Sequence, residues 1–307
     1  MSTQVKQEAA GRADVFPAAA VGLLVLSLVL AALNGVFMKM LAGLLPALLI
    51  VWGRNVTYLL VMLPFALARH GAAAFIPPRP GLQIARVLLL FVSSVLFIWG
   101  IEGLPLADAV AIVYVYPFVL SALSPALLKE EVGPAGWIGV FGGFAGVLIV
   151  MRPDFSGSGA HALMVLLAGV LLGVQLLLTR MIVRAASPLI TTTYTALVMV
   201  ILTSLLLPFS WTAIGAWEAA LLIGLGIVTA ASQWFSLVAF SRAPAPVLSP
   251  FSYVEIPAAV LYGLLFFGDL PDALSWIGIL VIIASGMLVA RAPLLAAAIS
   301  RRRPPSI

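Results

Sequence analysis

The chain has 307 residues, 63% of them hydrophobic and only 9% charged, with a mean hydropathy of +1.20. Soluble globular domains carry about 25% charged residues, so an ordinary water-soluble fold is excluded. The net charge of +5 resides in short loops and tails, which gives no case for a nucleic-acid partner, and the lack of cysteine excludes disulfides and thiolate metal sites.

A membrane-crossing helix needs about 20 mostly apolar residues. Runs of that kind predict ten spans, at 16–38, 47–68, 82–101, 107–128, 134–151, 162–181, 188–209, 217–240, 244–267 and 273–291. The first is too long for a signal-peptide core of about 7–15 residues and is read as a retained span. Breaks fall at Ile76–Pro80, Arg152–Gly159 and Gly268–Asp272, and the short connections make successive helices antiparallel neighbours. With ten spans both termini share one side, and that side collects thirteen Lys and Arg residues from Lys6 to Arg303, against Lys39 and Arg152 opposite. Positive residues favour the cytoplasm. The expectation is a multi-pass plasma-membrane protein of a bacterial inner membrane with both ends cytoplasmic.

Taken in chain order, the spans carry a small set of polar groups. Asn34 lies on the first and Arg54 on the second, roughly 12 Å deep at 1.5 Å per residue. Ser93, Ser94 and Trp99 follow on the third. The fourth holds Tyr114, Tyr116, Phe118 and the intrahelical Pro117. The fifth has small-xxx-small spacings through Gly139, Gly142, Gly143 and Gly146, which fit either internal packing or a homodimer contact. Gln175 lies on the sixth span, and Gln233 and Trp234 on the eighth. The ninth carries Phe251, Tyr253, Glu255, Pro257 and Tyr262.

Glu255 sits within an uncharged stretch from Ala243 to Gly268, roughly 14 Å from the outer face. An ionisable residue there is costly and marks a functional site by default. Glu255 and Arg54 share a level, where they either pair or jointly bind a polar substrate group, and Glu255 is also a candidate proton site. Arg54 has the alternative of snorkelling to the interface. The tyrosines suit a flat ring, although simple packing is the other reading. Isolated Asn, Gln and Ser commonly bond a neighbouring helix. Pro117 and Pro257 read as kinks, either static or hinges for gating.

A shift of 139 residues aligns Pro105 with Pro244, Tyr114 with Tyr253, Tyr116 with Glu255, Glu130 with Asp269 and Arg152 with Arg291. It also superposes the Trp-Ile-Gly triplets that begin at Trp137 and Trp276. Five spans per repeat is odd, so the second half enters the membrane upside down, the construction of many secondary transporters.

Between Gly103 and Pro153 the chain reads GLPLADAV, an intrahelical proline, an acidic turn and a Gly-rich helix ending in Arg-Pro. That stretch resembles the second half of an EamA domain of the drug/metabolite transporter (DMT) superfamily. The later half repeats it more loosely through Pro244, Pro257, Asp269 and Trp276, and Asn34–Lys39 with Arg54 is similar to the family's first helix pair. Lys129-Glu130-Glu131 and Gly268-Asp269 stand where the family has Gly-Glu-Arg, so no role is carried over for that turn's basic residue.

The resemblance implies an all-α membrane protein of ten transmembrane helices in two inverted five-helix repeats. Its parts are a cytoplasmic tail at 1–15, repeats at 16–153 and 161–292, and a basic tail at 293–307. It implies alternating-access transport of a small organic metabolite, without a cofactor and driven by a solute gradient, an exchanged solute or protons. The similar branch includes carriers of riboflavin and S-adenosylmethionine, so uptake of such a compound is expected, with export of amino acids or drug-like metabolites as the alternative. An intramembrane enzyme would need a catalytic constellation, yet no HExxH or GxSxG occurs and His70 and His161 have no metal-ligand spacing. A purely structural protein has no need of the repeat or of a carboxyl group at mid-depth.

Overall fold

Prolines open several of the helices: Pro80, Pro134 and Pro188 stand in the first turn, where a missing N–H removes no intrahelical bond. The computed structural model describes residues 18–71, 79–130, 132–152, 158–183 and 187–302. Among them ten helices are long and apolar enough to cross a membrane. They are α1 (Ala18–Ala42), α2 (Ala47–His70), α3 (Pro80–Glu102), α4 (Leu106–Leu128), α5 (Pro134–Met151), α6 (Gly159–Ile182), α7 (Pro188–Phe209), α8 (Ala216–Arg242), α9 (Ser249–Phe267) and α10 (Ala273–Arg291). No strand occurs among the described residues. The chain is a multi-pass, all-α membrane protein. The N-terminal tail, Arg184 and the Pro153–Gly157 stretch lie outside the described residues.

The ends differ from expectation in three places. α1 runs on to Ala42, since nothing before Gly43 breaks it, and this draws Lys39 from the expected loop into the last helical turn. α9 starts later than 244 because Pro250 imposes a 3-10 stretch, Ser249–Val254, after one short turn. The last helix continues in its backbone to Arg302, into what the sequence reads as a tail.

α1 packs on α8, α3 on α6, α2 on α7 and α5 on α10, while α4 leans on α6 and α9 on α1. Replacing every helix by the one five places away returns the same set of pairs. Local geometry follows the 139-residue shift too. Lys129 and Gly268 both adopt left-handed backbone, at φ 56° and 70°, after α4 and α9. The next N–H in each half reaches back to an equivalent carbonyl, Glu130 to Ser124 and Asp269 to Gly263. Glycine takes that φ without strain; lysine takes it at a cost.

In lipid, helix association rests on close packing more than on the hydrophobic effect. A Cβ on Gly139 would meet Val289 at 2.6 Å and the Ser285 carbonyl at 2.8 Å. One on Gly278 would meet Val150 at 2.5 Å and the Gly146 carbonyl at 2.9 Å. The start of α5 therefore lies on the end of α10, and the end of α5 on the start of α10. These two helices, equivalent under the 139-residue shift, therefore run antiparallel to each other. Gly143 is filled by the ring of Phe118, and Gly142 faces Ser285. The glycine face of α5 is thus consumed within the chain, and the expected homodimer through it has no free surface. Exposed apolar side chains such as Leu60, Ile138, Phe141, Leu205 and Leu265 cover the outside of the bundle, as contact with lipid demands.

Asp272 caps α10, accepting from the Ser275 backbone N–H at 2.9 Å, and pairs with Arg152 at the end of α5. The Arg152 side chain, aided by that N–H, holds the Asp272 carboxyl down to about 2. Its stabilising contribution is therefore complete above the ordinary value of 3.8 and is lost as pH falls through about 2. Thermal unfolding in detergent should show acid destabilisation in that window, and Asp272→Asn should remove this part of it.

Candidate substrate site

Both helices that carry the tyrosines are interrupted at the same register. α4 runs as helix from Leu106 to Val113, turns at Tyr114 and Val115, and restarts from Tyr116 to Leu128. α9 leaves its 3-10 stretch at Val254, is α-helical over Glu255–Tyr262, and ends in a π-turn, Gly263–Phe267. Tyr116 and Glu255, equivalent in the repeat, each open the restarted helix. Pro117 and Pro257 fall in the first turns of these segments, so they mark restarts and not the interior kinks expected of them.

Side chains satisfy the break. The Tyr114 hydroxyl lies 2.6 Å from the Ser252 carbonyl and 2.7 Å from Glu255 Oε2. A phenol has one proton to donate, so both contacts are hydrogen bonds together only when the carboxyl group brings a second. The Tyr114 ring is flanked by Tyr116 at 5.3 Å and Tyr253 at 5.5 Å between centroids, each tilted by about half a right angle. Tyr114 and Tyr253 are buried, whereas Tyr116 and Glu255 are half-buried. Tyr253 owes its place to Gly286 on α10, where a Cβ would stand 1.9 Å from its Cζ and Oη. The result is three aromatic rings around a carboxyl group, built from two helices of different halves.

The other candidates are placed elsewhere. Arg54 donates to Ser94 Oγ across α2 and α3 at 3.4 Å, and no ion pair joins it to Glu255 among the described residues. Asn34 Oδ1 meets the Thr229 hydroxyl at 2.9 Å, tying α1 to α8. Gln175 is buried and bonds Thr179 in its own helix. Ser93 donates to the Ala168 carbonyl of α6. Trp99, 49% exposed, continues the outward stripe of Ile84, Leu88 and Val92, away from the tyrosines. Gln233 is exposed one turn beyond Thr229, and Trp234 packs against Phe65 and Arg69.

One group of charges escaped the sequence reading. Lys39 joins Asp269 at 3.0 Å and the Leu104 carbonyl at 2.8 Å, and Arg152 joins Asp272 close by in the same set of turns. Asp108 of the PLAD motif faces this cluster, with one buried oxygen that has no protein partner. Its signal in the sequence was the pairing of lone charges in turns that meet on one face.

Tyr114→Phe would leave the Ser252 carbonyl and Glu255 without their shared hydroxyl partner. A loss of about 1–3 kcal/mol is expected for such a buried polar contact, to be measured as reduced thermal stability in detergent. Gly286→Ala should displace Tyr253 and lower stability clearly more than Gly22→Ala, where an added Cβ meets nothing within 4 Å.

Comparison with known proteins agrees with this architecture. The model of the EamA-like transporter family matches twice, over residues 18–152 and 160–291. A riboflavin transporter of Rhizobium johnstonii is 31% identical over 236 residues, covering 76% of this chain and 77% of that protein. An S-adenosylmethionine uptake transporter of Rickettsia prowazekii is 25% identical over 264 residues, 86% of this chain and 90% of the other. One crystal structure superposes with a TM-score of 0.62 at 19% identity, over 92% of this chain and 98% of that one, a likeness of fold alone. Two tandem family matches, laid over ten helices whose equivalent members pack in equivalent ways, place the chain in the EamA-like transporter family.

Proposed function

We propose that the chain is a secondary carrier that takes up a small organic metabolite by alternating access, in a bacterial inner membrane with both termini in the cytoplasm. The carrying observation is the contact of Tyr114 with Glu255 where two broken helices from opposite halves meet. Irregular backbone at membrane depth is tolerated where it is buried in protein or lines a cavity, and discontinuous helices are where such carriers bind substrate. The antiparallel packing of α5 and α10 supports the inverted reading of the two halves.

The substrate class follows from the wall. Tyr116 and Tyr253 offer ring faces and Glu255 accepts or gives a proton, while Arg54, held by Ser94 on α2 and α3 apart from these groups, is proposed as a further, cationic contact. A planar heterocycle bearing polar groups suits these partners, in keeping with relatives named for riboflavin and S-adenosylmethionine. Glu255 is the proposed proton site: its exchange with solvent would remake the two hydrogen bonds at Tyr114 and so loosen or tighten the junction of α4 with α9. Pro117 and Pro257 are the proposed hinges beside it.

Purified protein in liposomes tests the reading, with radiolabelled riboflavin and S-adenosylmethionine as probes. Unaltered solute should accumulate and exchange; product formation, or no flux for any metabolite in a wider vitamin and nucleoside screen, would overturn it. Losing a charged hydrogen-bond partner costs about 1.5–3 kcal/mol, so Glu255→Gln should weaken uptake roughly ten- to hundredfold. It should also flatten the pH profile of uptake while leaving exchange, and an unchanged profile would remove the proton role. Arg54→Leu combined with Glu255→Gln should cost less than the sum of the single changes if both hold one substrate.

A further inference from the structure

Two ion pairs occupy comparable places in the two halves, the acids matched by the 139-residue shift and the bases two residues out of that register. Lys39 lies in the last turn of α1, Ala18–Ala42, and Arg180 in the last turn of α6, Gly159–Ile182. Asp269 and Glu130 each follow the left-handed residue that closes the ninth or fourth helix. Lys39 pairs with Asp269 at 3.0 Å, and Arg180 with Glu130 at 3.6 Å. Each pair joins the first helix of one half to the turn after the fourth helix of the other half. Because equivalent helices run antiparallel, the two pairs lie at opposite faces of the membrane.

The pairs differ in how completely they are made. Lys39 is only 14% exposed, donates also to the Leu104 carbonyl, and sits 4.7 Å from the centre of the Phe267 ring. It thereby gathers α1, the α3–α4 turn and the α9–α10 turn. The Arg180 and Glu130 side chains are 54% and 52% exposed, and their contact is longer. A partly buried pair is screened little, whereas an exposed one contributes little. The two pairs differ in residue type as well, Lys with Asp against Arg with Glu.

We propose that the pairs are reciprocal latches: Lys39–Asp269 holds the outer face shut in this conformation, and Glu130–Arg180 tightens at the cytoplasmic face when the halves exchange shapes. The inference rests on the alternating-access reading above and assigns to four charged side chains the work of setting which face opens. Arg152–Asp272 is a different device. The residues equivalent to it are Arg291 and Gly133, which form no such pair, so it ties α5 to α10 in both states.

The natural chain has no cysteine, so a single Val36→Cys, buried one turn below Lys39, reports opening of the outer face to a membrane-impermeant maleimide. Asp269→Asn should raise its labelling rate from outside about fivefold, the lower end of typical coupling between sites, and Glu130→Gln should lower it. The charge exchange Lys39→Asp with Asp269→Lys should restore the parent rate, and it serves as the test if Asp269→Asn does not fold. Asp272→Asn should leave the rate unchanged. Indifference of the rate to both latches, or a rise in all variants together, would overturn the proposal. Labelling needs no substrate, which separates the two readings. Opposite shifts without any solute flux leave the latches and remove the carrier; flux with indifferent labelling removes only the latches.

Discussion

Inside a bilayer no water meets a backbone group left over where a helix is interrupted, and each such group costs free energy unless the protein supplies a partner. This chain interrupts two helices, α4 and α9, at equivalent positions. The Tyr114 hydroxyl spans the gap to the Ser252 carbonyl and to Glu255. Much else in the centre follows from that contact. The restarted helices begin with Tyr116 and Glu255, the prolines sit where no N–H is required, and Gly286 leaves the room that brings Tyr253 beside Tyr114.

Around this centre the two halves are held by two kinds of contact. α5 and α10 meet backbone to backbone through Gly139, Gly146 and Gly278, and the Arg152–Asp272 pair secures one end. Contacts of that closeness have few alternatives, since a shift of a fraction of an ångström brings hard overlap. The first and fourth helices of each half are joined across to the other half by hydroxyls, a shared carboxyl group and single ion pairs. They add to backbone approaches of the same closeness, as where Gly169 and Gly173 of α6 lie against the Val113 and Tyr116 carbonyls of α4.

The outcome for individual residues shows what pattern carries and what it does not. Tyr114, Tyr116, Tyr253 and Glu255, which the structure brings together, stand out in the linear chain through repeat equivalence and an ionisable group at mid-depth. Trp99 and Gln175 look equally polar or aromatic in the sequence. Trp99 falls on the outward stripe with Leu88 and Val92, and Gln175 satisfies itself within its own helix. Helix rotation decides which, and in a uniformly apolar span no polar face reveals the rotation. The small-residue face of α5 was ambiguous for the same reason: close approach is written in the glycines, but the partner is not. Lys39 misled because a loop and the last turn of a helix differ by three residues, and that difference brings its ammonium group to Asp269, 230 positions away.

The sequence by itself determined the class of solvent, the number of spans and the two-fold repetition. Each of these rests on composition or on local backbone chemistry, which a chain cannot hide. Only the tertiary structure decided that α4 and α9 meet through Tyr114 and Glu255, that α5 spends its glycines on α10, and that one inter-half ion pair is closed while its counterpart is loose. Those outcomes depend on how ten similar cylinders rotate and slide against one another. In lipid that choice is made by van der Waals fit and a handful of hydrogen bonds, neither of which leaves a periodic trace along the chain.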